Sequence, residues 1–193
     1  MTTDQATAAA AAQPAEPAFI GHGTWKLLRA GSTVGFRVKK MGLYHVKGRF
    51  RTFDGHIEFA PESSSPSGEL TLDAKSVSTR MPPRDWHLRT NDFLAAKQHP
   101  RIRVRAARIK PDGHGAFNVP ATIELRGRAA QVDMALHALR SPEEESARPE
   151  RARLHLQGII DRHQFGIKAT PPAEWVVASD VHIEAELLFE RVG

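Results

Sequence analysis

At 193 residues the chain has room for one domain with a sizeable core or an internal cavity, and its 40% hydrophobic and 25% charged residues are the balance of an ordinary soluble protein. No run approaches the ~20 apolar residues of a membrane helix, and the absence of cysteine excludes disulfide scaffolds, thiolate nucleophiles and cysteine-based zinc sites. A net charge of +5, with an isoelectric point near 9.9, favours acidic partners without choosing among nucleic acid, anionic lipid surfaces and phosphate-bearing ligands.

Residues 1–20 are Ala-rich with Pro14 and Pro17 and, up to Ala18, have no aromatic or large branched aliphatic side chain, so they read as a disordered tail. This N-terminus has neither Lys or Arg nor a Leu-rich segment, so it fails the signal-peptide test and the expected location is cytoplasmic.

From Thr24 onward apolar residues alternate with polar ones at a period of two, the mark of one-sided strands. The runs are Val34, Phe36, Val38; then Phe50, Ile57, Phe59; then Leu70, Leu72, Ala74. Next comes a polar, helix-capable block from Arg84 to Leu94, where Asp85 and Arg89 stand four apart on one helix face. A short helical segment around residues 84–96 is therefore expected among the strands.

Alternation resumes with Ile102, Val104, Ala106; Phe117, Val119, Ala121, Ile123, Leu125; and Val132, Met134, Leu136, Ala138. Leu154, Leu156, Gly158, Ile160 and then Val181, Ile183, Ala185, Leu187, Phe189 complete eight strands, or nine if Trp25 to Leu28 pairs separately. Turn signals lie at Asp54-Gly55, as a kink or tight turn, and at Pro61 to Pro66, Asp112-Gly113, Gly127 and Pro171-Pro172, while Arg140 to Arg153 lacks periodic apolar residues and reads as an exposed, mobile loop. The pattern predicts an all-β fold, an extended eight-stranded antiparallel barrel, because closure removes exposed edges and eight strands suffice to hold one elongated ligand.

Trp25 with Ser32-Thr33-Val34-Gly35-Phe36-Arg37-Val38, Gly48-Arg49-Phe50, Phe53-Asp54-Gly55, Ser76-Val77-Ser78-Thr79, Arg84-Asp85-Trp86-His87-Leu88 with Asp92-Phe93, and His99-Pro100-Arg101-Ile102 follow one another in a specific order. Leu125-Arg126-Gly127, Arg162 with Phe165-Gly166-Ile167, and Ser179-Asp180-Val181 extend it. Taken together they resemble the YceI-like, polyisoprenoid-binding family of lipocalin-like barrels. The resemblance implies a single barrel domain over 21–193 whose apolar interior holds a long isoprenoid or similar lipid, without a cofactor. Gly31 and Lys40 stand where family members often carry histidine, and the family's usual export signal is not found.

The expected wall residues are Phe36, Val38, Phe50, Leu70, Leu72, Ile102, Val104, Phe117, Ile123, Leu125, Met134 and Phe165, with a solid, side-chain-filled core as the alternative for each. Arg84 and His87 are headgroup candidates, since arginine offers a planar fork to phosphate.

A small hydrolase or isomerase working through Asp85 and His87 is the rival reading, but the two lie on different helix faces and no nucleophile elbow accompanies them. Asp85 pairing with Arg89 or capping a neighbouring turn is the structural alternative. No catalytic residue and no metal ligand is assigned, because the ten histidines form no His-x-x-x-His spacing, and His155 and His182 fall at solvent-facing strand positions.

Arginines 101, 103 and 105 alternate with Ile102, Val104 and Ala106, which marks a solvated strand face rather than a nucleic-acid stripe, so a nucleic-acid module is a lesser alternative. A homodimer and transient contact with a membrane surface complete the expected partners.

Overall fold

The structure, a computed structural model, describes residues 20–112, 114, 116–139, 150–168 and 177–192. Its strands are β1 (Gly23–Lys40), β2 (Tyr44–Phe50), β3 (Phe53–Phe59), β4 (Ser67–Asp73), β5 (Val77–Ser78), β6 (Arg101–Ala106), β7 (Lys110–Pro111), β8 (Phe117–Leu125), β9 (Arg128–Ala138), β10 (Arg151–Asp161) and β11 (Val177–Arg191), with helix α1 (Pro82–Arg89) between β5 and β6.

These segments build eight barrel staves. β2 and β3 are two halves of one stave bent at Arg51-Thr52, since β2 pairs with the second half of β1 and β3 with the first. β4 and β5 lie against them in the same way, joined by a 3-10 turn at Ala74–Ser76. The remaining order is β6, β8, β9, β10, β11, and β11 pairs with β1 to close the ring, all antiparallel. Trp25 to Leu28 is thus no ninth strand but the first half of β1, whose partner register with β11 shifts between Leu28 and Thr33.

Several local expectations are corrected. Asp54-Gly55 lies inside β3, where a Cβ on Gly55 would come within 2.7 Å of the Glu69 carbonyl oxygen, so glycine permits close strand approach rather than a turn. The helix runs from Pro82 to Arg89 instead of 84–96, because both prolines occupy its first turn, where a missing N–H costs nothing. Residues 90–99 continue as turns.

Arg151 to Arg153 belong to β10, and Ile20, at the expected edge of the tail, is already buried in the core. Residues 1–19, 140–149 and Pro171-Pro172, on which the tail, most of the loop and one turn fall, lie outside the described residues.

The barrel interior is divided. Trp25, Leu27, Phe59, Leu154 and Phe189 fill one end as a solid core. The second half of β1, with β2, α1 and the first half of β11, surrounds the other end, where the side chains leave space.

Candidate functional site

That space is a cavity of about 680 Å³, within the roughly 300–1,000 Å³ typical of sites that bury a single small ligand. Its depths are apolar and buried, with Leu72, Ile102, Ile123 and Leu125 among its walls. Exposed Lys39, Lys40, Met81, Pro83 and His87 border it at the other extreme, so it opens between the β1–β2 hairpin and α1.

Of the twelve expected wall residues, Phe36, Val38, Phe50, Leu70, Leu72, Ile102, Val104, Ile123, Leu125 and Met134 border the cavity. Phe117 does not: it starts β8 opposite Leu136 and sits toward the filled end, while Ile123 and Leu125 occupy the far end of that strand. Phe165 is wholly buried in the Arg162–Phe165 3-10 turn and does not border the cavity, although Arg162 and Ile167 on either side of it do. Val46, Leu156, Ile160, Val181 and Ile183 border it as well. Most of these belonged to recognised period-two faces, but the pattern gives the face and not the depth along the barrel.

α1 is fastened over one side of the mouth by its polar residues. The Asp85 carboxylate accepts the backbone N–H of Thr79 at 2.6 Å and the Thr79 hydroxyl. Arg84 Nε donates to that same hydroxyl oxygen at 2.7 Å, and its Nη2 donates to the Thr79 carbonyl. Arg89 Nη2 donates to the Val77 carbonyl. Burial alone would raise the Asp85 pKa; hydrogen bonds from Thr79 and Ser78, with the Arg89 charge, outweigh it and hold the carboxyl below its ordinary value.

Asp85 and His87 do not form a working pair. Asp85 borders a small polar cleft with Arg51, Ser76 and Arg89 on the far side of the helix, whereas His87 borders the apolar cavity. The ring of His87 lies 3.6 Å from Asp92 Oδ2 and edge-on to Phe93. Asp85 therefore fills the capping role, accepting from Thr79 rather than forming an ion pair with Arg89.

Arg162, quoted above only as part of the motif order, is a polar lining residue whose place at the cavity sequence reasoning missed. It is only 4% exposed, borders the cavity, and donates to the carbonyls of Ala178, Ile167 and Val177 through Nε, Nη1 and Nη2. Nothing in its spacing signals this, because one arginine after a strand carries no period. Among the described lining residues, Lys39, Lys40, Arg84, His87 and Arg162 are basic and no Asp or Glu is present.

Elsewhere some of the charges are paired. Arg105 bridges Glu69 at 3.0 Å and Glu124 at 2.9 Å, and Arg103 lies 3.5 Å from Glu124, so Arg103 and Arg105 of the arginine stripe are paired across the strand face. His155 is partly covered rather than fully solvated, with Glu184 at 3.3 Å, and His182 is likewise half-buried. Among the described residues no helix is long and apolar enough to cross a membrane.

A closed antiparallel barrel with an apolar cavity, a cationic mouth and a helix beside it defines a cavity-bearing β-barrel protein. Residues 25–189 match the model of the YceI-like domain. The chain belongs to the YceI-like family.

Among curated relatives, a UPF0312 protein of Pectobacterium atrosepticum is 31% identical over 51% of this chain and 52% of its own length. One from Vibrio cholerae is 26% identical over 53% and 55% respectively. The chain thus spans about half the length of the curated relatives it matches.

The fold is shared with BcnA of Burkholderia cenocepacia, at a TM-score of 0.73 and 21% identity over 84% of this chain and 98% of that one. It is also shared with a polyisoprenoid-binding domain from Saccharophagus degradans, at a TM-score of 0.65 and 18% identity over 87% and 98%.

Proposed function

We propose that this protein binds one long-chain isoprenoid or similar amphipathic lipid in the barrel cavity, and sequesters or transports it without chemically changing it. The observation that carries this reading is the cavity of about 680 Å³ walled by apolar side chains from most of the barrel strands. Burying hydrocarbon there removes it from water at roughly 0.8 kcal/mol per CH₂, less the cost of ordering the chain. The all-basic set of ionisable lining residues supports an anionic or strongly polar headgroup at the mouth.

Arg84 and His87 are the proposed headgroup contacts. Arg84 Nη1 has no protein hydrogen bond among the described residues, and His87 stands half-exposed at the rim. A hydrolase or isomerase working through Asp85 and His87 is disfavoured by their separation onto two sides of the helix.

The test is organic extraction of the purified protein followed by mass spectrometry, with titration of the delipidated protein by a prenyl phosphate. Recovery of a long-chain lipid is expected, with an affinity that weakens only modestly with salt, because the few headgroup contacts are screened and the apolar burial is not. Affinity unaltered by joint Arg84→Ala and His87→Ala substitution in a folded protein would remove those two residues from the headgroup site. Neither recovering nor binding any lipid would end the reading altogether.

A further inference from the structure

The β1–β2 hairpin ends in a tip that the barrel does not need. Met41 and Gly42 adopt left-handed backbone, with φ of 52° and 70°, and turn the chain between Lys40 and Tyr44. Met41, Leu43 and Tyr44 are 61%, 82% and 67% exposed. Across the mouth, Met81 and Trp86 are 50% and 69% exposed. Five large apolar side chains therefore stand out on the two elements that flank one opening, where single scattered ones would need no explanation.

The charge carried by the hairpin itself is of one sign, with Asp180 of β11 the carboxylate nearest its base. No carboxylate occurs between Gly21 and Phe53, whereas Arg37, Lys39, Lys40, Lys47 and Arg49 crowd the hairpin. Arg37 stands directly opposite Lys47, and Lys39 opposite His45. Like charges facing one another across strands destabilise a hairpin unless something anionic meets them. Among the described residues none of these five cations forms an ion pair, and the nearby Glu184 is engaged by His155.

We infer that this rim is a docking surface for an anionic lipid bilayer, with Leu43, Tyr44 and Trp86 entering the interface and the hairpin cations meeting lipid phosphates. Aromatic and aliphatic tips flanked by Lys and Arg are what a headgroup region accommodates, aromatic bodies lying in the boundary and cations in the charged layer. A convex tip offers no groove for a peptide. The docked orientation turns the cavity mouth toward the bilayer, so a lipid passes between membrane and barrel without crossing water. The inference rests on the lipid-binding reading and gives it a route for loading.

The test is flotation of the full chain with phosphatidylcholine vesicles, with and without phosphatidylglycerol, for the unaltered protein, for L43S/Y44S and for R37Q/K47Q. None of these four residues borders the cavity. The unaltered protein is expected to float only with anionic vesicles, and each variant to lose about tenfold or more of that partitioning. Both variants are expected to retain the unaltered affinity for a soluble prenyl phosphate in the absence of vesicles.

No partitioning onto anionic vesicles, or partitioning that both variants preserve, overturns the inference. So does tight binding to polyadenylate or polyglutamate that R37Q/K47Q loses and L43S/Y44S keeps, since the partner is then an acidic polymer. Vesicle docking without capture of prenyl phosphate sinks the lipid-holding function alone, and capture without docking sinks this inference alone.

Discussion

Gly48 stands across from Phe36 in the β1–β2 pairing, and the phenyl ring fills the space a side chain at 48 would need: a Cβ there would lie 2.3 Å from Phe36 Cζ and 2.6 Å from Cε1. Phe36 borders the cavity, so this glycine sets where one wall of the cavity stands. Gly48→Ala must push the ring aside. The expected outcome is a loss of about 1–3 kcal/mol from overpacking, read by urea unfolding, together with weaker prenyl phosphate binding. Unchanged binding would show that the ring moves without narrowing the cavity.

Filling the cavity separates binding from folding. Val104 faces the space between Leu70 and Ile123 on the neighbouring strands, and all three border it. Val104→Trp places an indole in empty volume, so the thermal midpoint should change little while lipid recovery by extraction falls sharply. Full lipid recovery from this variant would mean that the ligand sits elsewhere.

Asp85 makes the attachment of α1 dependent on pH. Its folded pKa lies below the unfolded value because hydrogen bonds and the Arg89 charge outweigh burial. Its contribution is therefore present above the unfolded pKa of about 3.9 and is lost as pH falls through the lower folded value. Asp85→Asn should cost about 1.5–3 kcal/mol near neutrality, the range for a hydrogen bond involving a charged group. Urea midpoints measured from neutral pH down to the acid limb should then converge between variant and parent. A constant gap down to the lowest pH would contradict the assignment.

Arg162 serves the folded state first. Arg162→Met leaves the carbonyls of Ile167, Val177 and Ala178 without their donor, and about 3 kcal/mol or more should be lost. Arg162→Lys, keeping the charge without the planar fork, should recover only part of it by the same denaturant measurement. Complete rescue by lysine would show that charge and not geometry matters.

Much of the barrel was legible because strand side chains alternate. The period-two runs located the eight staves, and the Arg84–Leu94 block marked the helical interruption, since local polarity and spacing are properties of adjacent residues. The helix boundary was misread at Pro82-Pro83, which look like punctuation but suit a first helical turn. Phe117 was misplaced for a different reason, while Phe165, in the Arg162–Phe165 3-10 turn, follows no strand alternation at all. Alternation says which face a residue takes, not how far along the barrel it lies, and the filled end and the hollow end share one face.

The sequence by itself determined an all-β chain with one helical insertion, its strand count, its basic character and the motif order of its family, because each is carried by composition or by neighbours in the chain. Only the tertiary structure decided that Asp85 and His87 face different pockets, that Arg162 is a buried cation at the cavity wall, and that Leu43 and Trp86 flank the same opening. The first relation turns on which side of α1 two near neighbours take; the other two join residues tens of positions apart, which the β2–β5 pairing and the closure of β1 onto β11 bring to one end of the barrel.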